Sequence, residues 1–139
     1  MKTFVLPIND IVREVERRIL NNFMDLLILS TLHSHGGQIS GYDIIKYLQV
    51  NYGFLFSPGT VYSCLYDMER KELLRGNQKG RKRVYALTKH GEETVKAVLN
   101  ARERIANFMS MVLYKNGNPN PLRLPLLPHV SSKESWMDT

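Results

Sequence analysis

A helix-start motif followed closely by a basic turn constrains the fold of this chain more than any other feature. Residues 57–62 read Ser-Pro-Gly-Thr-Val-Tyr. Serine is a favoured helix N-cap, and proline suits the first helical position because an N–H there has no intrahelical partner. Residues 79–88 read Lys-Gly-Arg-Lys-Arg-Val-Tyr-Ala-Leu-Thr, which is typical of a cationic turn followed by a strand. The two patterns predict a short helix with a basic hairpin after it.

The spacing of apolar residues predicts which side of this helix faces the core. At 100° per residue, Val61, Leu65 and Met68 fall within about 60° of one another. The opposite face is small, hydroxylic, aromatic and charged, with Tyr62 at its border; it carries Gly59, Ser63, Tyr66, Asp67 and Arg70. Such a face can enter a DNA groove and form hydrogen bonds there. The layout is typical of a winged helix-turn-helix, in which the hairpin lies along the phosphates.

The positive charge of the chain is concentrated in the same region. The sequence has 19 Lys+Arg and 13 Asp+Glu, a net charge of +6. Residues 75–90 contain as many basic residues as the net positive charge of the whole chain, and they contain no acidic residue. Concentrated positive charge attracts a polyanion through phosphate contacts and counterion release. The alternative is an ordinary solvated basic loop.

Composition narrows the class of protein and its compartment. The single cysteine, Cys64, excludes an internal disulfide and fits a reducing compartment. Pro7 and Asp10 interrupt the start before any apolar stretch forms, so no signal peptide is expected. The most apolar run, residues 23–32, is broken by Asp25 and is shorter than the roughly 20 residues of a membrane-spanning helix. A cytoplasmic location is therefore predicted.

Three helical segments are predicted before residue 57. The first begins near Asn9 or Asp10 and carries an apolar stripe at Ile11, Val15 and Ile19. The second is a nearly all-apolar core helix that ends at Gly36-Gly37; whether it continues the first or is separated from it at Asn21-Asn22 stays open. Ser40 is the predicted N-cap of the third, which ends at Gly53.

A hairpin, a long helix and an irregular tail are predicted after residue 72. Leu73 and Leu74 open a strand, Gly76–Arg83 form the turn, and Val84–Leu87 return. Thr88 then caps a helix over residues 89–114. Its apolar stripe follows heptad-like spacing at Val95, Val98, Ile105, Met109 and Val112. We expect this stripe, with that of the first helix, to form a dimer interface; packing on its own domain is the alternative. Residues 115–139, which are Pro-rich and include Trp136, are expected to be irregular.

No other chemistry is indicated by the residues. His33 and His35 are two apart, so on a helix they point to different faces and cannot chelate one metal ion. Cys64 has no evident base nearby in the sequence and is expected to pack as a small apolar residue. No glycine-rich phosphate loop is present. No cofactor or metal is predicted, and an enzyme is disfavoured.

The residues resemble the PadR family of winged-helix transcriptional regulators. The matching pieces are Gly41-Tyr42, the segment 57–62, the pattern Leu65-x-x-Met68-Glu69-x-x-x-Leu73-Leu74, and residues 83–91 with their aromatic-x-Leu-Thr-x-x-Gly ending. Together they span about residues 26–98. The resemblance implies a homodimer that binds a partly palindromic operator, usually as a repressor.

The resemblance also implies which residues contact double-stranded DNA. Ser57, Thr60, Tyr62 and Ser63 would face the groove at the start of the helix that Pro58 opens. Ser40 and Tyr42 would approach phosphate. In the hairpin wing, the contacts to DNA would come from Lys79, Arg81, Lys82 and Arg83. A small-molecule effector is possible but not evident, and the tryptophan that lines a drug site in some relatives has no counterpart in the core.

The sequence therefore predicts a mainly α fold with a small β-hairpin wing (α+β). Residues 1–22 form a helical extension, 23–88 the winged-helix DNA-binding domain, 89–114 a dimerisation helix and 115–139 a tail. The predicted function is a sequence-specific DNA-binding regulator, a repressor acting as a homodimer. The alternatives are a winged-helix protein-interaction module without DNA binding, against which the basic wing argues, and a nucleic-acid enzyme, against which the missing carboxylate or metal cluster argues.

Overall fold

The computed structural model describes residues 8–114, which form six helices and one small sheet. The helices are α1 (Ile8–Asn22), α2 (Met24–His35), α3 (Gly41–Tyr52), α4 (Pro58–Arg70), α5 (Lys89–Asn100) and α6 (Arg102–Tyr114). The strands are β1 (Ile39–Ser40), β2 (Leu74–Lys79) and β3 (Lys82–Leu87). The predicted mainly α fold with a β-hairpin wing is confirmed. The predicted irregular tail, with Trp136, lies outside the described residues.

Helix ends follow the capping residues of the sequence. Gly36 and Gly53 end α2 and α3 in the left-handed conformation, with φ of 77° and 67°. Glycine adopts this conformation without the steric cost of a Cβ. Phe23 separates α1 from α2, so the break lies beside the Asn21-Asn22 pair. The predictions for these helix ends are confirmed, and the first and second predicted segments are separate helices.

The three-stranded sheet is antiparallel, with strand order β1-β3-β2. Lys79 pairs with Lys82, so only Gly80 and Arg81 connect β2 to β3, and Gly80 has a φ of 62°. The predicted turn over Gly76–Arg83 is therefore wrong. Most of those residues extend the ladder, because a two-residue connection suits the twist of paired strands.

The core lies where α2, α3 and α4 meet beneath the sheet. Its largest fully buried side chains come from these three helices; they are Ile28, Leu29, Leu32, Ile44, Leu48, Val61, Leu65 and Met68. The predicted core face of α4 is thus confirmed. None of the described helices has the length and apolar character that a membrane crossing requires.

The chain divides into two compact units between Lys96 and Ala97. The predicted winged-helix domain ends at residue 88, whereas the first unit also contains the buried residues Gly91 and Val95. In the second unit, the backbone N–H of Ala101 donates to the carbonyls of both Ala97 and Val98 at 3.1 Å. This turn ends α5 before α6 begins, so the single long helix predicted over 89–114 is two helices.

Candidate nucleic-acid interface

The N-terminal half of α4 displays the predicted groove-facing side chains together. Ser57 precedes the helix, and its Oγ accepts a hydrogen bond from the backbone N–H of Thr60 at 3.5 Å. Pro58 occupies the first turn, as predicted. Thr60, Tyr62 and Ser63 are exposed, whereas the opposite face of the helix is buried. Hydroxyl groups that can donate and accept hydrogen bonds are therefore accessible on this helix, with Ser63 opposite the buried face and Thr60 and Tyr62 on its two sides.

Tyr62 also contacts the beginning of α3. A Cβ added to the buried Gly41 would lie 2.5 Å from Cε1 of Tyr62, so the ring lies directly on the glycine backbone. Tyr62 stays 42% exposed. The sequence predicts Gly41 only as part of a motif, because this contact joins residues far apart in the chain.

Ser40 and Tyr42, both predicted to approach phosphate, differ in accessibility. Ser40 is only 6% exposed, and its Oγ caps α3 by accepting a hydrogen bond from the N–H of Asp43 at 3.1 Å. Its oxygen therefore caps the helix start, and little of Ser40 is accessible for the predicted phosphate contact. Tyr42 is 65% exposed, and its ring centre lies 6.0 Å from Nζ of Lys46, so a tyrosine and a cation share this surface.

Three cations cluster at the tip of the hairpin. Lys79 and Lys82 face each other across the last pair of the ladder, and Arg81 lies in the turn between them. All three are exposed. Directly paired residues of antiparallel strands project from the same face of the sheet, so the two lysines lie side by side.

Arg83, the fourth predicted wing cation, forms an ion pair within the chain. Its Nη2 donates to Oε2 of Glu69 on α4 at 2.6 Å, and its Nε is 3.4 Å from Oε1. The hydrogen bond to Glu69 raises the pKa of Arg83. Side chains alternate along a strand, so Arg83 shares a face with the buried Tyr85, and Lys82 projects from the other. This alternation is visible in the sequence and was missed.

Two further cations near the end of α4 share one carboxylate. Asp67 accepts from Nη2 of Arg70 at 2.7 Å and lies 2.9 Å from Nζ of Lys71. These hydrogen bonds lower the pKa of Asp67. The (i, i+3) and (i, i+4) spacing of the three residues is the sequence signal that predicts such pairs, and the sequence analysis did not use it.

A groove of about 830 Å³ lies between α4 and the junction of α1 and α2. Its lining includes Thr60, Ser63, Asn21 and the half-buried Cys64. Burial, followed by the nearby carboxylates of Asp25 and Asp67, raises the pKa of Cys64 to about 11. Cys64 Sγ lies 3.8 Å from the thioether sulfur of Met68, as expected of a packing residue. Among residues 8–114, no three His, Cys, Asp or Glu side chains are grouped so as to hold a metal ion.

The predicted dimer contacts are mostly accessible. Ile11, Val15 and Ile19 on α1 are 46%, 38% and 37% exposed. In the second unit, Ile105 and Val112 are exposed, and Val98 and Met109 are partly exposed. Val95 is the exception at 2% exposure. Because almost none of its surface is accessible, Val95 belongs to the core of its own unit and cannot contribute to the predicted interface.

Solved structures show the class of protein that this fold defines. A PadR family transcription regulator from Clostridium difficile R20291 is 26% identical, with a TM-score of 0.57 over 66% of this chain and 98% of that one. A PadR family regulator from Eggerthella lenta DSM 2243 is 21% identical, with a TM-score of 0.60 over 76% and 94% of the two chains. F93 from STIV, a winged-helix DNA-binding protein, is 17% identical, with a TM-score of 0.55 over 60% and 90%. The fold is that of a winged-helix protein.

A family model gives the more particular assignment. The model of the PadR-like family of transcriptional regulators matches residues 28–97. The chain belongs to this family, and it is a transcription regulator rather than an enzyme. A search of curated protein sequences finds no match.

Proposed function

We propose that this protein is a sequence-specific DNA-binding repressor that acts as a homodimer on a partly palindromic operator. The observation that carries the proposal is the combination of exposed hydroxyl groups on α4 with a cationic hairpin tip. An α-helix fits the major groove of B-DNA, where each base pair presents a distinct pattern of donors and acceptors. Thr60, Tyr62 and Ser63, which are exposed on α4, would read such a pattern.

In this binding mode, affinity for DNA and sequence specificity come from different residues. Lys79, Arg81 and Lys82 would contact phosphates, which are the same in every sequence. Contacts from the start of α4 to base edges would supply the preference for one operator. Repression would be steric, since a protein that occupies promoter DNA excludes other proteins from it.

Recovery of a preferred DNA sequence tests the proposal. The protein is incubated with sheared genomic DNA, and the retained fragments are sequenced. We expect a common sequence with partial two-fold symmetry among them. If the protein retained no DNA above background at low salt, DNA binding would be rejected, and the chain would instead be a winged-helix interaction module.

Thr60→Ala and Ser63→Ala are expected to weaken binding to the retained sequence by about 1–3 kcal/mol each while leaving affinity for random duplexes almost unchanged. The reason is that a lost base contact affects only the sequence that provided it. Titrations of both DNAs measure the difference. Ser34→Ala, at an exposed serine of α2, is the matched control and is expected to change neither affinity. Equal losses on both DNAs with an intact fold would place the reading surface elsewhere.

The homodimer part of the proposal depends on accessible apolar side chains. α1 has no buried residue, although Ile11, Val15 and Ile19 recur along it, and α6 also has none. Apolar stripes of this kind are covered in most soluble proteins, and closed two-fold dimers are the commonest oligomers. Two copies would present two α4 helices to half-sites about 34–36 Å apart, or a multiple of that distance.

Replacing Ile105 with Asp and Met109 with Lys is expected to give monomers and to reduce operator binding to the level of random DNA, because charges are not tolerated in an apolar contact. Sedimentation measures the mass, and titration measures the affinity. Glu103→Lys, at an exposed position of the same helix, is the control and should leave the dimer intact. A native protein that sedimented as a monomer at micromolar concentration would contradict the dimer, and a dimer of the double variant would move the interface off α6.

A further inference from the structure

The ion pair between Glu69 and Arg83 joins two elements that have different positions in the proposed DNA complex. Glu69 is on α4, and Arg83 is on β3, in the half of the hairpin nearer the tip. The two hydrogen bonds, at 2.6 Å and 3.4 Å, run from neighbouring nitrogens of one guanidinium to the two oxygens of one carboxylate. Such a bidentate pair fixes direction as well as distance. Within residues 8–114, it is the one ion pair that links α4 to the hairpin.

The backbone of β2 leaves room for this pair. A Cβ at Gly76 would lie 2.7 Å from Nη2 of Arg83 and 2.7 Å from Oε1 of Glu69. Any other residue at this position would therefore push the pair out of place. The guanidinium also lies over the ring of Tyr85, with 5.8 Å between the guanidinium carbon and the ring centre. Helix α4 and both strands thus meet at one point.

The position of this junction along the hairpin determines what it can control. The base of the hairpin is held by the core, because Leu74 is 2% exposed and Tyr85 is 4% exposed. The cations Lys79, Arg81 and Lys82 lie at the other end. Arg83, paired with Glu69, lies between the buried base and the exposed tip of the hairpin.

We propose that Glu69 and Arg83 are positioning residues that hold the hairpin at a fixed angle to α4, and so set which phosphates the tip can contact while α4 lies in the groove. This inference rests on the proposed DNA binding. It assigns Arg83 a different role from Lys79, Arg81 and Lys82. The three tip cations bind phosphate, whereas Arg83 determines where they bind.

The physical properties of the pair indicate an effect on specificity rather than on folding. Solvent-exposed ion pairs contribute little to stability, and this pair is partly exposed, with 41% of the Arg83 side chain and 24% of the Glu69 side chain accessible. On random DNA a loosened hairpin still finds some phosphate, so affinity and its salt dependence are kept. On the operator the tip must reach particular phosphates while α4 keeps its register. Loss of the pair therefore lowers affinity for the operator alone.

The first test needs no DNA and uses the full chain. Amide hydrogen exchange is measured for residues 78–83 in the native protein and in Glu69→Gln and Arg83→Gln. Each variant is expected to exchange roughly 2- to 5-fold faster in this segment, as loss of one exposed pair allows. Glu93→Gln, which neutralises an exposed glutamate of α5, is the control and is expected to leave exchange unchanged.

The second test uses a random-sequence duplex and a fragment retained from genomic DNA. Arg81→Ala should lower the salt-dependence slope on the random duplex by about 0.9, the value for one phosphate contact, whereas Arg83→Gln should leave it unchanged. On the retained fragment, Glu69→Gln and Arg83→Gln should each lose about 5- to 10-fold in affinity, as loss of a coupled contact allows. The exchanged pair, Glu69→Arg with Arg83→Glu, should recover part of this loss.

The two proposals fail in different ways. Unchanged exchange in both neutral variants, or a slope lowered by about 0.9 in Arg83→Gln, would overturn the positioning role and make Arg83 a phosphate contact. Native protein that bound neither DNA would overturn the proposed function. In that case the hydrogen-exchange result still decides whether the pair holds the hairpin.

Discussion

Replacing Lys79, Arg81 and Lys82 together with alanine is expected to lower affinity for any DNA duplex by roughly 100- to 1,000-fold at about 0.1 M salt. Each phosphate contact releases counterions and contributes about 0.9 to the slope of log affinity against log salt, so the slope should fall by about 2.7. All three side chains are exposed at the tip of the hairpin, and the fold does not depend on them. Titrations at several salt concentrations measure both quantities.

A control variant separates the effect of losing phosphate contacts from the effect of losing net positive charge. The variant Arg18→Ala, Lys89→Ala, Lys96→Ala removes as many exposed cations from other parts of the chain. It should reduce affinity only slightly, because charges that touch no phosphate act only through the screened field of the protein. If the two triple variants behaved alike, the hairpin tip would have no special role.

Gly91→Ala is expected to destabilise the protein by about 3 kcal/mol, which is at the upper end of the usual range for adding a methyl group to a well-packed site. The added Cβ would lie 2.1 Å from the carbonyl oxygen of Leu73. That oxygen already accepts hydrogen bonds from the N–H and from Oγ1 of Thr88, both at 3.1 Å. The backbone must move to admit the methyl group, and these bonds are strained with it. Urea denaturation measures the change in the free energy of unfolding.

Gly59→Ala is the matched control for this substitution. Gly59 is also helical, but a Cβ there would find only Oγ of Ser57, at 3.8 Å, which is an ordinary contact. Its free energy of unfolding should stay within about 1 kcal/mol of the native value, with a gain from helix propensity. A Gly91→Ala variant as stable as Gly59→Ala would contradict the close approach of α5 to Leu73.

Features that depend on neighbouring residues were predictable from the sequence. Ser57 with Pro58 locates the start of α4, and Gly36 and Gly53 locate the ends of α2 and α3, since a cap is a local contact. The buried face of α4 follows from helical periodicity in the same way. The same local reasoning predicts that Thr60, Tyr62 and Ser63 are exposed, as they are, whereas their contact with DNA stays a prediction.

Features that depend on distant partners were not predictable in this way. Strand β1 exists only because Ile39 and Ser40 pair with β3, more than forty positions along the chain. Arg83 points to Glu69 because of the hairpin register, which the turn length sets. Val95 resembles its apolar neighbours in the sequence, and only the packing of α5 buries it. The break at Ala101 carries no glycine or proline to mark it.

The distribution of ion pairs has a consequence for how such a protein could evolve. Asp67 pairs with both Arg70 and Lys71, and Glu69 pairs with Arg83, whereas Lys79, Arg81 and Lys82 at the hairpin tip form no ion pair within the described residues. Under the proposed binding mode, the search along a chromosome depends on sequence-independent attraction, which the tip supplies. Substitutions on the exposed face of α4 can then change the preferred operator without slowing that search. New targets become accessible by small steps, each of which leaves the protein able to find DNA.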